Sequence, residues 1–296
     1  MRYYTKNSTL FVRGAFRAAS TGIDGGIRDV TTLFNHTVPA DWSHDSPKKE
    51  IELVAAAAGI GPCVFGLLTA VPLRHLCVLQ YDFVTVFVTA GIREHPPQEA
   101  GTINIIVYSS EGMEDSALLE MILVATEAKA EALIAAGRDS GTPTDAVIAA
   151  CEGEKLHRYA GRITEPGQRL REAVLKGVPE ALRRYERGAE NEEPAFFIYS
   201  RLEGGHWVEW SPVNCPYYPC HFPGQRCDFC YCPFYPCKNE ALGDWSVSSS
   251  GGKVWSCSRC TLIHEPAVAD YLKRYPDAPL DELVQYQKQQ KKKIIP

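Results

Sequence analysis

The stretch from Leu76 to Gly91, "LCVLQYDFVTVFVTAG", is rich in β-branched and aromatic residues, which favour β-strands. Its length exceeds the usual strand of about 5–6 residues, so we expect it to bend or to form a hairpin. Asp82 then has two interpretations. On a continuous strand its carboxylate shares an apolar face with Val84 and Val86, where it must be paired or functional. Alternatively, "QYDF" is a turn.

Outward from this stretch, strand-like segments alternate with helical ones. Strands are predicted at Thr9 to Gly14, Ile27 to Val38, "TINIIVYS" and "DAVIAAC". Helices are predicted at Ser46 to Gly59, Asp115 to Ala136 and Gly167 to Arg187, the last interrupted near Gly177 and Pro179. "GAENEEP" is a predicted linker, and "AFFIYSRLEGGHWVEW" a predicted hairpin with a Gly-Gly turn.

This order predicts an α+β fold, with a mixed β-sheet and packed helices, followed by a small metal-stabilised cysteine-rich domain. The predicted boundaries are 1–187 for the first domain, 188–204 for a linker and the start of a hairpin, 205–272 for the cysteine-rich domain and 273–296 for a helical, basic tail. No internal repeat is predicted.

Composition excludes several classes of function. A net charge of -5 and a pI near 5.9 give no reason to expect nucleic-acid binding. The uncharged segment Leu53 to Leu73 is broken by glycine and proline, so a membrane span is not expected, and the N-terminus lacks an apolar leader. We therefore expect a cytoplasmic protein. The sequence does not decide whether the chain forms a homo-oligomer.

Eight of the eleven cysteines lie between Cys215 and Cys260, a crowding that favours metal over disulfides in a chain without an export signal. Thiolates and imidazoles together suit tetrahedral zinc, and two structural zinc ions are predicted. The candidate ligands are Cys215, Cys220, His221, Cys227, Cys230, Cys232, Cys237, Cys257, Cys260 and His264. Two four-ligand sites would leave two of these ten unused, and the spacing does not say which. An iron–sulfur cluster is the alternative, because it also takes four thiolates.

Several polar residues in the first domain also stand out. Lys129 falls in the apolar stripe of its helix, so it must find a carboxylate, reach solvent or lose its proton. "GTPTDAV" delivers Asp145 at the mouth of a strand. Asn35 and His36 end another strand, where an amide and an imidazole could serve as oxyanion donor and base. The glycine-rich loop "STGIDGG" can offer backbone N–H groups to an anion.

Five ordered motifs, "FRAASTGIDGGIRDVTTLFNHTVP", "LCVLQYDFVTVFVTAG", "GTINIIV", "EAKAEAL" and "GTPTDAV", resemble the adenosylcobinamide amidohydrolase family of corrinoid salvage over about residues 8 to 185. The cysteine region resembles a family of small cysteine-rich domains over about residues 205 to 272. The first resemblance implies hydrolysis of the amide that joins aminopropanol to a propionyl side chain of the corrin ring of adenosylcobinamide. The products would be adenosylcobyric acid and 1-amino-2-propanol, within cobalamin biosynthesis.

The catalytic assignments come from the residues themselves, because the resemblance supplies none. Amide hydrolysis needs a base, an oxyanion donor and an acid for the departing amine. The base is predicted to be His36 or Asp82, with Lys129 or Asp145 setting its charge state. The predicted substrate-binding or oxyanion residues are Ser20, Thr21, Gly25, Gly26, Asn35, Asn104 and Thr142. The alternative mechanism uses Ser20 or Thr21 as a nucleophile.

Two rival functions remain at this stage. The first domain could carry a corrinoid or another small molecule without cleaving it, while the cysteine-rich module binds a partner. Alternatively, the eight thiols could hold an iron–sulfur redox centre. The visible colour of a cluster would distinguish it from zinc.

Overall fold

The structure is a computed structural model that describes the chain except for residues 43–45, 94–99, 189–192, 202–203, 211–214, 216, 231, 248–252 and 295–296. The chain forms two compact units, Tyr3–Trp210 and Ser211–Pro296. Most of the predicted linker "GAENEEP" lies outside the described residues.

The first unit is built on a ten-stranded mixed sheet. Its strands are β1 (Arg2–Lys6), β2 (Thr9–Ser20), β3 (Gly26–Thr37), β4 (Val64–Thr69), β5 (Cys77–Tyr81), β6 (Val84–Arg93), β7 (Ala100–Ser109), β9 (Ala146–Cys151), β11 (Ala195–Ser200) and β12 (His206–Glu209). The order across the sheet is β12-β11-β5-β6-β7-β9-β2-β3-β4, and β1 pairs with β2. Two short strands, β8 (Gly112–Met113) and β10 (Leu156–His157), pair with each other.

The stretch Leu76 to Gly91 forms a hairpin, which confirms the interpretation of "QYDF" as a turn. Strands β5 and β6 are antiparallel, and Tyr81 pairs with Val84 across a two-residue turn. Asp82 occupies this turn with a φ of 52°. The placement of Asp82 on a strand face beside Val84 is therefore wrong, because the chain reverses direction there.

Three helices pack on this sheet, namely α1 (Pro47–Ala57), α2 (Asp115–Ala135) and α3 (Glu165–Arg187). The expected interruption of α3 is wrong, since the helix is continuous and contains Pro179. Gly177 serves close packing instead. A Cβ atom there would lie 2.6 Å from Cδ1 of Leu79, so a larger residue would require this buried side chain or the helix to shift.

The sheet has hydrophobic cores on both faces, which explains why its central strands are nearly continuous apolar runs. Helices α2 and α3 cover one face through residues such as Leu118 and Val174. The opposite face buries residues of β2, β3 and β4 together with residues of β5, β6 and β7. Asn35 of β3 hydrogen-bonds to Asn104 of β7, although β9 and β2 lie between these strands in the sheet order. The sheet is therefore curled onto itself.

The sheet extends beyond the predicted first domain. The hairpin "AFFIYSRLEGGHWVEW" is confirmed, since β11 and β12 pair antiparallel and Gly204 and Gly205 both have positive φ. Strand β11 also pairs in parallel with β5, which adds the hairpin to the main sheet. The compact unit ends at Trp210.

The second unit has little regular structure around its cysteines. It contains the antiparallel pair β13 (Asp244–Val247) and β14 (Lys253–Ser256), then α4 (Pro266–Arg274) and α5 (Leu280–Ile294). A small core of Leu262, Ile263, Val268, Leu272 and Leu283 holds the helices. The expected α+β class is confirmed. In the described parts of both units, no helix is long and apolar enough to cross a membrane.

Candidate functional site

A buried cluster of two amides lies where the curled sheet meets itself. Nδ2 of Asn104 donates to Oδ1 of Asn35 and to the carbonyl of Leu68, both at 2.9 Å. Nδ2 of Asn35 donates to Oγ1 of Thr89 at 2.8 Å. Oδ1 of Asn104 is buried and has no hydrogen-bond partner among the described residues. Two predicted substrate-binding residues are thus in direct contact, and the cluster keeps one free acceptor.

The amide cluster also has one unused hydrogen-bond donor. An amide nitrogen carries two N–H groups, and both groups of Asn104 are engaged. For Asn35, the only described acceptor of Nδ2 is Thr89, so one N–H is left over. A free N–H and a free carbonyl oxygen in one cluster are complementary to the C=O and N–H of a secondary amide.

A second polar group lies beside the start of β9. It consists of Lys129, Thr142 and Asp145. The ammonium of Lys129 pairs with the Asp145 carboxylate, and both side chains are almost fully buried. That carboxylate also accepts from N of Ile103 at 2.9 Å, N of Thr142 at 3.0 Å and Oγ1 of Thr142 at 2.6 Å. Lys129 has found a carboxylate, which was one of its three expected outcomes. Asp145 is fully hydrogen-bonded and fixes the start of β9 against β7.

The glycine-rich loop has its own hydrogen bonds. N of Gly25 donates to the carbonyl of Gly22 at 3.0 Å, so this amide is not free for an oxyanion. A Cβ at Gly25 would lie 2.3 Å from the carbonyl oxygen of Ser20, and Gly26 has a φ of 105°. Thr21 exchanges hydrogen bonds with the backbone of Val147. These bonds hold the loop against the start of β9, beside the Lys129–Asp145 pair.

His36 lies on the opposite face of β3 from Asn35, because neighbouring residues of a strand alternate. Its Nδ1 is 2.6 Å from Oγ1 of Thr9, and its Nε2 is 3.9 Å from Oε1 of Glu50. Burial lowers the pKa of His36 from its ordinary value, although the Glu50 carboxylate acts in the other direction. The imidazole is therefore neutral near pH 7, as a general base must be.

Asp82 is placed away from the other predicted catalytic residues. Its carboxylate accepts from Nε of Arg169 at 2.7 Å and also pairs with Arg201. Next to it, Tyr81 stacks on Tyr199 with ring centroids 3.9 Å apart. This arrangement is typical of a turn held by surface ion pairs.

A cavity of about 670 Å³ opens at the ends of three strands that supply the amide cluster. Thr37 follows Asn35 along β3, and Ala70 and Ile92 lie just beyond the segments of β4 and β6 that contact the cluster. The volume falls within the usual range for ligand pockets, about 300–1,000 Å³.

The cavity wall contains polar residues that sequence reasoning missed. His75 is buried in the wall and packs edge-on against Tyr185, with ring centroids 5.7 Å apart. Arg74 and Glu186 also line the cavity. The available signal was "PLRHL", a His–Arg pair between a proline and a buried strand, where strand ends often carry functional side chains.

The ten predicted metal ligands all lie in described parts of the second unit. The eight cysteines are free thiols, and burial raises the pKa of several of them, to about 12 for Cys232. Within the residues described, no three His, Cys, Asp or Glu side chains already converge on a point that could hold a metal ion. The chemistry of the donor set nevertheless fits zinc, which binds thiolates in tetrahedral sites.

Comparison with known proteins identifies both units. Residues 2–190 match the sequence profile of the family described as adenosylcobinamide amidohydrolase, so the first unit is an amide hydrolase. Residues 206–287 match the family described as cysteine-rich small domain. The first match spans more than half of the chain, so the chain belongs to the adenosylcobinamide amidohydrolase family.

Individual relatives agree with this assignment. An adenosylcobinamide amidohydrolase of Methanosarcina mazei is 41% identical in an alignment of 195 residues that covers 62% of this chain and 98% of that protein. Another, of Halobacterium salinarum, is 32% identical over 56% of this chain and 80% of its own length. A probable cobalt-factor III C(17)-methyltransferase of Methanothermobacter thermautotrophicus is 51% identical over 61 residues, 21% of this chain and 17% of that protein. The resemblance predicted from the motifs is confirmed.

Proposed function

We propose that this chain hydrolyses the amide between aminopropanol and the propionyl side chain of adenosylcobinamide, yielding adenosylcobyric acid and 1-amino-2-propanol for cobalamin biosynthesis. The observation that carries the proposal is the match of residues 2–190 to the amidohydrolase family, which covers all the strands of the sheet except β11 and β12. The relatives named adenosylcobinamide amidohydrolase support the same substrate.

The scissile amide is proposed to enter through the cavity beside Thr37 and Ile92 and to reach the amide cluster. The unused N–H of Asn35 would donate to the substrate carbonyl, and Oδ1 of Asn104 would accept from the substrate N–H. This pairing satisfies the buried groups of the cluster, which are costly when left unpaired. It also favours a secondary amide over an ester, which has no N–H to donate.

The proposed chemistry is a direct attack by water. A base takes one proton from water, the hydroxide adds to the carbonyl carbon, and the C–N bond breaks as the amine takes a proton. His75 in the cavity wall is the proposed base for an amide bound at the cluster, because it borders the entry cavity. His36, the base predicted from the sequence, lies on the opposite face of β3 from Asn35, so it would act only on an amide bound at that other face. Lys129 and Asp145 are proposed as positioning residues, since their contacts are with each other and with β7.

For the second unit we propose structural zinc. Eight thiols and two imidazoles are the candidate ligands, and the surrounding core is small. Bound zinc would cross-link a segment that has little regular structure to stabilise it.

The test of the site compares two single variants on the same strand. Asn35→Ala removes the proposed donor, and loss of one oxyanion donor typically lowers the rate by ~10²–10³-fold. Thr32→Val is the matched control, because Thr32 is buried on β3 and its Oγ1 has no partner among the described residues. Release of 1-amino-2-propanol is followed by mass spectrometry, and thermal melting checks folding.

The proposal expects a folded Asn35→Ala protein with at least a hundredfold loss in kcat, while Thr32→Val keeps its turnover. If Asn35→Ala turns over like the unmodified protein, Asn35 is not the donor. If the unmodified protein binds adenosylcobinamide without cleaving it, the carrier function replaces the hydrolase.

A further inference from the structure

The cysteine region contains an internal repeat, so the expectation of no repeat is wrong. "CPYYPC" runs from Cys215 to Cys220, and "CPFYPC" runs from Cys232 to Cys237. Each hexapeptide is followed by a C-x2-C pair, at Cys227 and at Cys257 respectively. The repeat was hidden because the spacers between hexapeptide and pair differ in length. Each copy supplies four thiols.

In the first copy, a buried glutamine connects the hexapeptide to the C-x2-C pair. Nε2 of Gln225 lies 3.2 Å from the sulfurs of both Cys220 and Cys227. The N–H of Cys230 donates to the carbonyl of Cys227 at 3.2 Å, and the N–H of Tyr218 donates to the carbonyl of Cys215 at 3.2 Å. The second copy makes the same two backbone turns, at Cys257 and at Cys232.

The other four thiols share a different environment. Cys232, Cys237, Cys257 and Cys260 all line one cavity of about 220 Å³, whose wall Cys230, His221 and His264 also reach. The hydroxyl of Tyr235, inside the hexapeptide, donates to the carbonyl of Trp255 at 3.0 Å, which ties the hexapeptide to the strand before Cys257.

The two histidines stack on each other, and both also border the cavity that the second set of thiols lines. The rings of His221 and His264 stack with centroids 4.4 Å apart. Nδ1 of His264 is 2.9 Å from the carbonyl of Arg226, whose N–H donates to the carbonyl of His264. The imidazoles therefore hold two loops together.

We infer that the unit binds two zinc ions in two all-cysteine sites, one per repeat copy, and that neither histidine is a ligand. Site one is Cys215, Cys220, Cys227 and Cys230, and site two is Cys232, Cys237, Cys257 and Cys260. This inference rests on the proposed zinc binding and settles the ligand sets that the spacing left open. Gln225 would donate to two site-one thiolates and partly offset their negative charge, a role that neighbours of metal ligands commonly have.

The test measures metal content and thiol protection in the full-length protein. Cys227→Ser breaks site one, Cys257→Ser breaks site two, and His221→Ala and His264→Ala probe the histidines. Each protein is loaded with Zn²⁺, and bound metal is counted by elemental mass spectrometry. Alkylation with iodoacetamide followed by peptide mapping then shows which cysteines are still protected. Replacement of zinc by Co²⁺ gives a separate readout, since the visible absorption of cobalt reports thiolate number and tetrahedral geometry.

The expected result is two zinc ions in the unmodified protein and in both histidine variants, and one in each cysteine variant. Cys227→Ser should expose Cys215, Cys220 and Cys230 to alkylation while the four thiols of site two stay protected. Loss of one zinc in a histidine variant overturns the ligand sets, and so does exposure of site-two thiols by Cys227→Ser. An unmodified protein that binds no zinc instead overturns the zinc proposal itself.

Discussion

Replacing Lys129 by methionine should destabilise the first unit strongly. The ammonium of Lys129 is the partner of a buried carboxylate that three other donors hold in place. Methionine keeps the length and apolar stem of the side chain but removes its charge. Asp145 would then carry an uncompensated negative charge beside helix α2.

The expected loss in the free energy of unfolding is about 3–5 kcal/mol, the usual cost of removing one partner of a buried ion pair. Glu131→Gln on the same helix is the matched control. Glu131 pairs with Arg171 at 2.6 Å, but its side chain is half exposed. Exposed pairs contribute ~0–1 kcal/mol, so this variant should behave almost like the unmodified protein.

Native-state hydrogen exchange of β7 is the assay, because the N–H of Ile103 donates directly to Asp145. A loss of 3–5 kcal/mol in the free energy of unfolding lowers the protection factors of the β7 amides by about two to four orders of magnitude. Asp145→Asn combined with Lys129→Met should recover part of the loss, since no buried charge remains. Equal protection in Lys129→Met and Glu131→Gln would refute the assignment of a structural ion pair.

Three further predictions concern single side chains. Gly177→Ala should cost about 1–3 kcal/mol, because its Cβ would meet the buried side chain of Leu79 and either that side chain or α3 must shift; an unchanged melting temperature would count against this packing. His75→Gln should lower kcat by about 10²-fold or more, the usual contribution of a general base; His36→Gln, on the opposite face of β3 from the amide cluster, is the control, and a comparable loss in that variant would return the role of base to His36. Asp82→Asn should change stability by ~0–1 kcal/mol and leave turnover intact; lost turnover would return Asp82 to the active site.

Local patterns predicted much of the fold. Strand propensity and excess length indicated the β5–β6 hairpin, and the Gly-Gly turn indicated the β11–β12 hairpin. These features depend on residues close in sequence. The continuity of α3 was missed because Gly177 was interpreted by its helix propensity, whereas its role is contact with Leu79 of a distant strand.

The candidate site depended on contacts that no local pattern encodes. Asn35 and Asn104 were both predicted, but their pairing requires the sheet to curl so that β3 meets β7. His75 was missed because its neighbours in the cavity come from distant segments. Asp145 was predicted from its place at a strand start, and the sequence could not tell that four hydrogen-bond donors already occupy it.

Hydrolysis of adenosylcobinamide in water enriched in ¹⁸O is the most direct test of the central claim. If water cleaves the aminopropanol amide, the corrinoid acid should gain one ¹⁸O, seen as a mass increase of about 2 Da over the product formed in ordinary water, and unlabelled 1-amino-2-propanol should appear in equal amount. An intact corrinoid, or release of a different fragment, would contradict the assignment.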